Sequence, residues 1–138
     1  MRILVIGAGA IGFQLCKQLA QLDHDIILVE LDPRRARRAG EQLDALVVSG
    51  NGTSVRTLRS ARIEQTDVVA AMTTNEEANL LSCRLAKTLG AKSTIARVRN
   101  PEYTLPDYPL SNEELGVDLI IHPERETADA IVRLIRQS

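Results

Sequence analysis

The chain has 138 residues, the length of one domain, which leaves no room for a substrate-binding domain beside a nucleotide-binding one. Only 2% of the residues are aromatic and the net charge is -1, which argues against binding nucleic acid through stacked rings or bulk positive charge. No apolar run approaches the roughly 20 residues that span a membrane, so we expect a soluble protein without direct membrane insertion.

The first half of the sequence alternates apolar strands with amphipathic helices. A continuous apolar run that ends at Gly7 predicts a buried parallel strand, and helical periodicity follows it. Asp32 and Pro33 then form an N-cap followed by proline at the first helical position. The predicted elements are a strand over 2–6, a helix over 10–22, a strand over 26–30, a helix over 33–43 and a strand over 45–48.

The second half repeats this alternation. Thr74 and Glu77 fit a capping box, which predicts that Thr74 caps a helix ending at Gly90. Pro123 is expected to open the last helix. The other predictions are a short helix capped by Thr53 or Ser54, strands over 68–72, 94–98 and 117–121, and at most one short helix near 110–115.

Strict alternation of buried strands and helices indicates an α/β fold with a parallel sheet covered on both faces. Right-handed crossovers and two mononucleotide halves predict a Rossmann-like, doubly wound sheet of six strands in the order 3-2-1-4-5-6. We expect one domain over residues 1–138.

The motif most typical of a binding site is the glycine-rich turn after the first strand. Gly7 permits the tight turn, Gly9 lets a pyrophosphate approach the backbone, and Gly12 lets the helix pack on the strand. The free N–H groups at the start of the helix, around Ala10 and Ile11, would face the phosphates. A nucleotide-free relic of the same fold is the alternative.

An acid at the end of the second strand is typical of ribose recognition. Glu30 would accept hydrogen bonds from the adenosine ribose and repel a 2′-phosphate, which favours NAD over NADP. Arg34 and Arg35 weaken this preference, because a nearby arginine can accommodate that phosphate. Asp32 fits a ribose contact and a simple helix cap equally well.

Two further segments follow strands three and four at the predicted ligand-binding edge. They are Gly50, Asn51, Gly52 and Thr53, and then Thr73, Thr74 and Asn75. A structural role in turns and helix caps would also explain these residues. Arg97 and Arg99 alternate on the fifth strand. We expect them on opposite faces, so that only one of them reaches the crevice.

Catalytic patterns are missing from the sequence. It contains no Ser–His–Asp order, no HExxH, no P-loop and no Tyr-x-x-x-Lys pair, and His24 and His122 are isolated. Cys16 and Cys83 lie far apart and form no CxxC motif, which fits buried thiols in a reducing cytoplasm. We therefore predict no catalytic residue, no metal site and no enzymatic activity.

Six segments along the chain together resemble the TrkA N-terminal domain, the nucleotide-binding part of the regulator-of-potassium-conductance (RCK) family. The resemblance covers residues 2–135, and the segments are VIGAGAIG, VELD, VVSGNGT, TTNEEANLLSCRLAKTLG, IARVRNPEY and LIIHPE. It implies a cytoplasmic domain or subunit that binds NAD(H), or ATP and ADP in relatives. Such a domain forms homo-oligomers and gates a membrane potassium channel or transporter, peripheral to the inner face of the membrane.

The resemblance also implies roles for individual residues. Gly7, Gly9 and Gly12 would hold phosphates, Glu30 the ribose, and Arg97 the phosphates or a neighbouring subunit. Glu124 matches a carboxylate that helps hold a divalent cation in ATP-binding relatives, although an acid in the first turn of a helix is an equally good explanation. The pocket near adenine and the second nucleoside would be lined by residues 50–53 and 73–75.

Three features qualify the resemblance. Residues 104–112, with Pro106 and Pro109, look like an insertion. The family's usual C-terminal ligand-binding domain has no counterpart, which is consistent with an excised fragment. An apolar stripe on the last helix belongs to a region that helps make the homodimer in this family, although packing on the sheet explains it too: Ala128, Ile131, Val132 and Ile135.

One alternative is the cofactor domain of an NAD(P)-dependent oxidoreductase resembling ketopantoate reductase, because the opening MRILVIGAGAIG is similar. Such an enzyme needs a second domain for its substrate, which the chain length does not accommodate. The remaining alternative is a nucleotide-free fold used only for assembly.

Overall fold

The computed structural model describes residues 1–123 and 128–137. Its strands form one six-stranded sheet in the order β3-β2-β1-β4-β5-β6, with every neighbouring pair parallel. The predicted fold class and strand order are confirmed. The strands are β1 (Arg2–Ile6), β2 (Asp25–Glu30), β3 (Leu46–Ser49), β4 (Val68–Ala71), β5 (Ser93–Arg97) and β6 (Leu119–Ile121).

The helices lie between the strands, as the alternating pattern predicts. Two 3₁₀ turns, Ile63–Gln65 and Pro101–Thr104, were not expected from the sequence. The helices are α1 (Ala10–Gln21), α2 (Pro33–Gln42), α3 (Val55–Ser60), α4 (Glu76–Leu89), α5 (Asn112–Leu115) and α6 (Ala128–Arg136).

Alternate strand residues send their side chains to opposite faces of the sheet, where two apolar layers form. Ile3 and Val5 of β1 pack with α1, α2 and α6, whereas Leu4 and Ile6 pack with α3 and α4. Cys16 and Cys83 are buried in these layers, and burial raises the pKa of each thiol to about 12. They therefore behave as small apolar side chains.

One local prediction needs correction, and one open alternative is now supported. The N-cap of α4 is Asn75, whose side chain accepts a hydrogen bond from the N–H of Ala78, so the predicted capping box from Thr74 is wrong. The stripe on α6 is buried in the chain's own core at Ile131, Val132 and Ile135, where it packs beside α1. Core packing therefore explains these three side chains without a dimer.

Candidate functional site

A cleft of about 460 Å³ opens at the carboxyl ends of β1, β2, β3 and β4. We call it the first cleft. Ten of the predicted site residues line it: Gly7, Glu30, Asp32, Gly50, Asn51, Gly52, Thr53, Thr73, Thr74 and Asn75. Six other residues complete its wall, and of these sequence reasoning had considered only Arg35, as a partner for a 2′-phosphate: Ile6, Val29, Leu31, Arg35, Ala78 and Ser82.

The glycine-rich turn needs its glycines for two different reasons. Gly7 has a φ of +101°, which side chains rarely tolerate, and a Cβ at Gly12 would lie 1.8 Å from the carbonyl oxygen of Gly7. Gly9 caps α1 without a side-chain hydrogen bond, and a Cβ there would meet nothing within 4 Å. This open space leaves the start of α1 accessible to a ligand. Within the described part of the chain, no acceptor pairs with the N–H groups of Ala10, Ile11 and Gly12.

Glu30 ties the glycine-rich turn to the end of β2. Its Oε1 accepts a hydrogen bond from the N–H of Ala8 at 2.6 Å, and its Oε2 accepts one from the N–H of Asp32 at 2.7 Å. The side chain is only 6% exposed, yet it lines the first cleft. A carboxylate has about four acceptor positions, so these two bonds leave capacity for a ligand hydroxyl.

Asp32 serves as a helix cap and also lies in the first cleft. Its Oδ1 accepts a hydrogen bond from the N–H of Arg34 at 2.9 Å, and its Oδ2 lies 4.0 Å from Nε of Arg35. Arg35 lines the cleft beside it. Both roles considered for Asp32 are therefore compatible with its position.

The segment after β3 is held in place by side chains from both halves of the sheet. Asn51 Oδ1 accepts hydrogen bonds from the N–H and the hydroxyl of Thr53, at 3.0 and 2.8 Å. Ser82 of α4 donates its hydroxyl proton to the carbonyl oxygen of Gly52 at 2.8 Å. A Cβ on Gly52 would lie 2.5 Å from Cγ2 of Ile6, which explains the second glycine of Gly50-Asn51-Gly52.

A second cleft of about 460 Å³ adjoins the first at the ends of β4 and β5. Thr73 and Thr74 line both clefts, whereas Arg97 lines only the second. Glu76 accepts hydrogen bonds from the N–H groups of Arg99 and Asn100, at 2.7 and 2.9 Å. The lining residues of the second cleft are Thr73, Thr74, Glu76, Glu77, Arg97, Arg99, Asn100, Pro101 and Pro123.

The expectation that Arg97 and Arg99 lie on opposite faces, with one of them in the crevice between β1 and β4, is wrong, because both line the second cleft and neither lines the first. Residues two apart on an extended chain point to the same face, not to opposite faces. Glu124, the carboxylate considered for a divalent cation, lies outside the described residues, as does the predicted start of the last helix after Pro123.

The described residues contain no group of three or more His, Cys, Asp or Glu side chains that could hold a metal ion. Within the same ranges, 1–123 and 128–137, no helix is long and apolar enough to cross a bilayer.

Comparison with known proteins places the chain in a family. The model of the TrkA-N domain matches residues 3–123. A Trk system potassium uptake protein TrkA homolog of Archaeoglobus fulgidus is 44% identical over 98% of this chain and 30% of its own length. A homolog of the same name from Methanothermobacter thermautotrophicus is 39% identical over 98% of this chain and 60% of its own length. The chain thus spans between about a third and three fifths of these relatives.

Solved structures share the fold. The TrkA-N domain of the inner membrane protein ybaL from Escherichia coli superposes with a TM-score of 0.78 at 20% identity, covering 97% of this chain and 96% of that one. The GsuK channel bound to NAD gives a TM-score of 0.73 at 22% identity, covering 87% of this chain and 21% of that one. The same channel has been solved bound to ADP. The family model and the sequence relatives agree, and the chain belongs to the TrkA-N domain family.

Proposed function

We propose that this domain binds NAD(H) across the two clefts and regulates a membrane potassium transport system. The observation that carries the proposal is the first cleft, where Gly7 of the glycine-rich turn, the carboxylate of Glu30 and the end of β3 meet. The second cleft shares Thr73 and Thr74 with it, so a ligand with two nucleoside halves has a continuous path. The TrkA relatives and the NAD-bound channel support both parts of the proposal.

The residues present fit a dinucleotide. The missing Cβ atom at Gly9 leaves the N-terminus of α1 accessible, which favours a pyrophosphate through hydrogen bonds to the backbone N–H groups and through the helix dipole. Glu30 retains acceptor positions for the adenosine ribose hydroxyls. Asp32 beside it adds a second carboxylate, which disfavours a 2′-phosphate despite Arg35.

The remaining predicted residues surround the rest of the ligand. Asn51 and Thr53 line the first cleft and would contact the adenine half, and Thr74 and Asn75, also in its wall, would contact the ligand where its two halves meet. Arg97 lines the second cleft, beside the second nucleoside or its phosphate. ADP and ATP remain alternative ligands, since the first cleft by itself accommodates an adenosine nucleotide.

Regulation follows from linkage. A nucleotide that binds one arrangement of subunits more tightly than another shifts the population towards that arrangement, by no more than its difference in affinity. We therefore propose a homo-oligomer on the cytoplasmic face of the membrane, attached to a potassium channel or transporter subunit. The match to only part of each TrkA relative leaves these partners as proposals.

The oxidoreductase alternative gains no support from the clefts. Among the described residues, no lysine or histidine lines either cleft, and the carboxylate of Glu76 is engaged by two backbone N–H groups. We propose a regulatory site and no catalytic residue.

Isothermal titration calorimetry tests the proposal with NAD, NADH, NADP, ADP and ATP. We expect binding of NAD(H) and weaker binding of NADP, because a 2′-phosphate would meet the carboxylates of Glu30 and Asp32. Absence of binding to all five ligands at millimolar concentration would overturn the proposal and favour a nucleotide-free fold used for assembly. Light scattering with and without the tightest ligand then tests whether binding changes the oligomeric state.

A further inference from the structure

Asn79 is the most completely hydrogen-bonded buried side chain near the two clefts. It lies on α4 and is 1% exposed. Its Oδ1 accepts hydrogen bonds from the N–H and the hydroxyl of Thr73, at 3.1 and 2.6 Å. Its Nδ2 donates to the carbonyl oxygens of Thr73 and Arg97, at 3.0 and 2.8 Å. All four bonding positions of the amide are thus occupied.

These bonds join two strands at the point where the strands stop pairing with each other. The ladder between β4 and β5 ends at the pair Ala71 and Ala96. Thr73 and Arg97 lie just beyond it, on the walls of the clefts. Nη1 of Arg97 also donates to the carbonyl oxygen of Met72, at 3.4 Å, whereas the amide of Asn79 bonds the backbone carbonyl oxygens of Thr73 and Arg97 directly.

Asn79 has no bonding capacity left for a ligand, and it lines neither cleft. We propose that Asn79 is a positioning residue that couples the two clefts, by fixing Thr73 in the wall they share and the backbone of Arg97 in the second. This inference rests on the proposed binding of a dinucleotide across both clefts. The affinity for a ligand that spans both clefts should therefore depend on Asn79 more strongly than the affinity for a ligand confined to the first cleft.

The variant Asn79→Asp tests this coupling with little change in shape. The introduced carboxylate still accepts from Thr73, but it loses both donated hydrogen bonds and faces two carbonyl oxygens. Burial and these oxygens raise the pKa of the new carboxyl, so acidification restores one donor. The charged or titratable groups near these bonds include Glu76, Glu77 and Cys83 on α4, Arg97 on β5 and Arg99 after it. Titrations of the wild-type protein at each pH account for their effects.

The measurement is the ratio of NAD affinity to AMP affinity, by calorimetry, at about pH 7.5 and about pH 5. At the higher pH we expect Asn79→Asp to weaken NAD binding at least about tenfold and AMP binding less than about threefold. The two lost hydrogen bonds hold the cleft walls, and a spanning ligand must then supply a similar free energy to order these walls when it binds. At the lower pH most of the difference should disappear. Asn112→Asp, an exposed amide on α5, is the matched control and should leave both affinities unchanged.

Equal weakening of NAD and AMP, or none, would overturn the coupling role while leaving the proposed function intact. Failure of the wild-type protein to bind NAD would instead overturn the proposed function. Should Asn79→Asp fail to fold at the higher pH, as judged by thermal unfolding, the uncharged variant Asn79→Ser takes its place in the same comparison. A lower ratio of NAD affinity to AMP affinity in Asn79→Ser than in the wild type supports the coupling, and an unchanged ratio refutes it.

Discussion

The two halves of the site are anchored by buried polar side chains of different chemistry. On the side of β1 and β2, the anchor is Glu30, a carboxylate that holds Ala8 and Asp32 with one hydrogen bond on each oxygen. On the side of β4 and β5, the anchor is Asn79, an amide with four hydrogen bonds. Glu30 lines a cleft, whereas Asn79 lines none.

This difference separates binding from positioning. A side chain that retains unused acceptors at a cleft wall can hold the structure and bind a ligand at once, as we propose for Glu30. A side chain with every position occupied can only hold the structure. Substitution of Glu30 should therefore weaken the binding of any adenosine ligand, whereas substitution of Asn79 should weaken the binding of ligands that reach the second cleft.

The largest expected effect is on the glycine-rich turn that Glu30 anchors. In Gly12→Ala the new Cβ would lie 1.8 Å from the carbonyl oxygen of Gly7, a backbone atom that cannot move without displacing β1 or α1. We expect a loss of more than about 3 kcal/mol in the free energy of unfolding, measured in urea. Gly9→Ala is the control, with open space around its Cβ and an expected cost of less than about 1 kcal/mol. Similar losses in both variants would contradict the close packing of α1 on β1.

Glu30→Gln is expected to lower both stability and nucleotide affinity. The amide keeps one acceptor oxygen but sets an NH₂ group against a backbone N–H, that of Ala8 or Asp32. We expect a cost of about 1–3 kcal/mol in urea unfolding and at least about tenfold weaker binding of NAD and of AMP alike. Glu41→Gln, an exposed acid on α2, should change neither quantity. Unchanged affinity in the folded Glu30 variant would rule out ribose recognition by this carboxylate.

Ser82→Ala tests a connection between the two halves of the sheet. The substitution leaves the carbonyl oxygen of Gly52, in a buried residue, without the hydroxyl that bonds it at 2.8 Å. We expect a loss of about 1–2 kcal/mol in thermal or urea unfolding. Ser60→Ala, at the exposed end of α3, is the control. If the two variants are equally stable, α4 does not hold the segment after β3.

The smallest effect concerns Asp118, just before β6. Burial raises the pKa of this carboxyl, but hydrogen bonds from Lys87 and from the N–H of Thr94 outweigh it, so the pKa lies below its usual value. The pKa of Asp118 is lower in the folded state than in the unfolded state. Its carboxylate therefore stabilises the fold above the usual aspartate pKa of about 4, and this stabilisation is lost as the pH falls through the folded-state pKa. Asp118→Asn should cost less than about 1 kcal/mol at neutral pH, since the group is partly exposed. The difference from wild type should shrink in acid, and a difference that grows there would contradict the sign.

Sequence reasoning located the first cleft better than the second. Local sequence patterns, such as the glycine spacing and the acid after a buried strand, predicted ten of the residues that line the first cleft. For the second cleft, sequence reasoning predicted Arg97 and the shared Thr73 and Thr74, and it wrongly placed Arg97 and Arg99 on opposite faces. It also assigned the cap of α4 to Thr74 instead of Asn75, because both residue types are good caps and only the start of the helix distinguishes them.

The sequence by itself determined the alternation of strands and helices, the strand order and the positions of the glycine-rich turn and Glu30. The alternation and the turn depend on hydrophobic periodicity and on steric limits that act over a few residues, and the strand order follows from the general preference for right-handed crossovers. Only the tertiary structure decided the partners of the buried polar groups: Ala8 for Glu30, 22 residues away, Arg97 for Asn79, 18 away, and Gly52 for Ser82, 30 away. These hydrogen bonds join residues that are far apart in sequence, so they depend on where the crossover helices return each strand to the sheet. No local sequence pattern specifies which residues meet there.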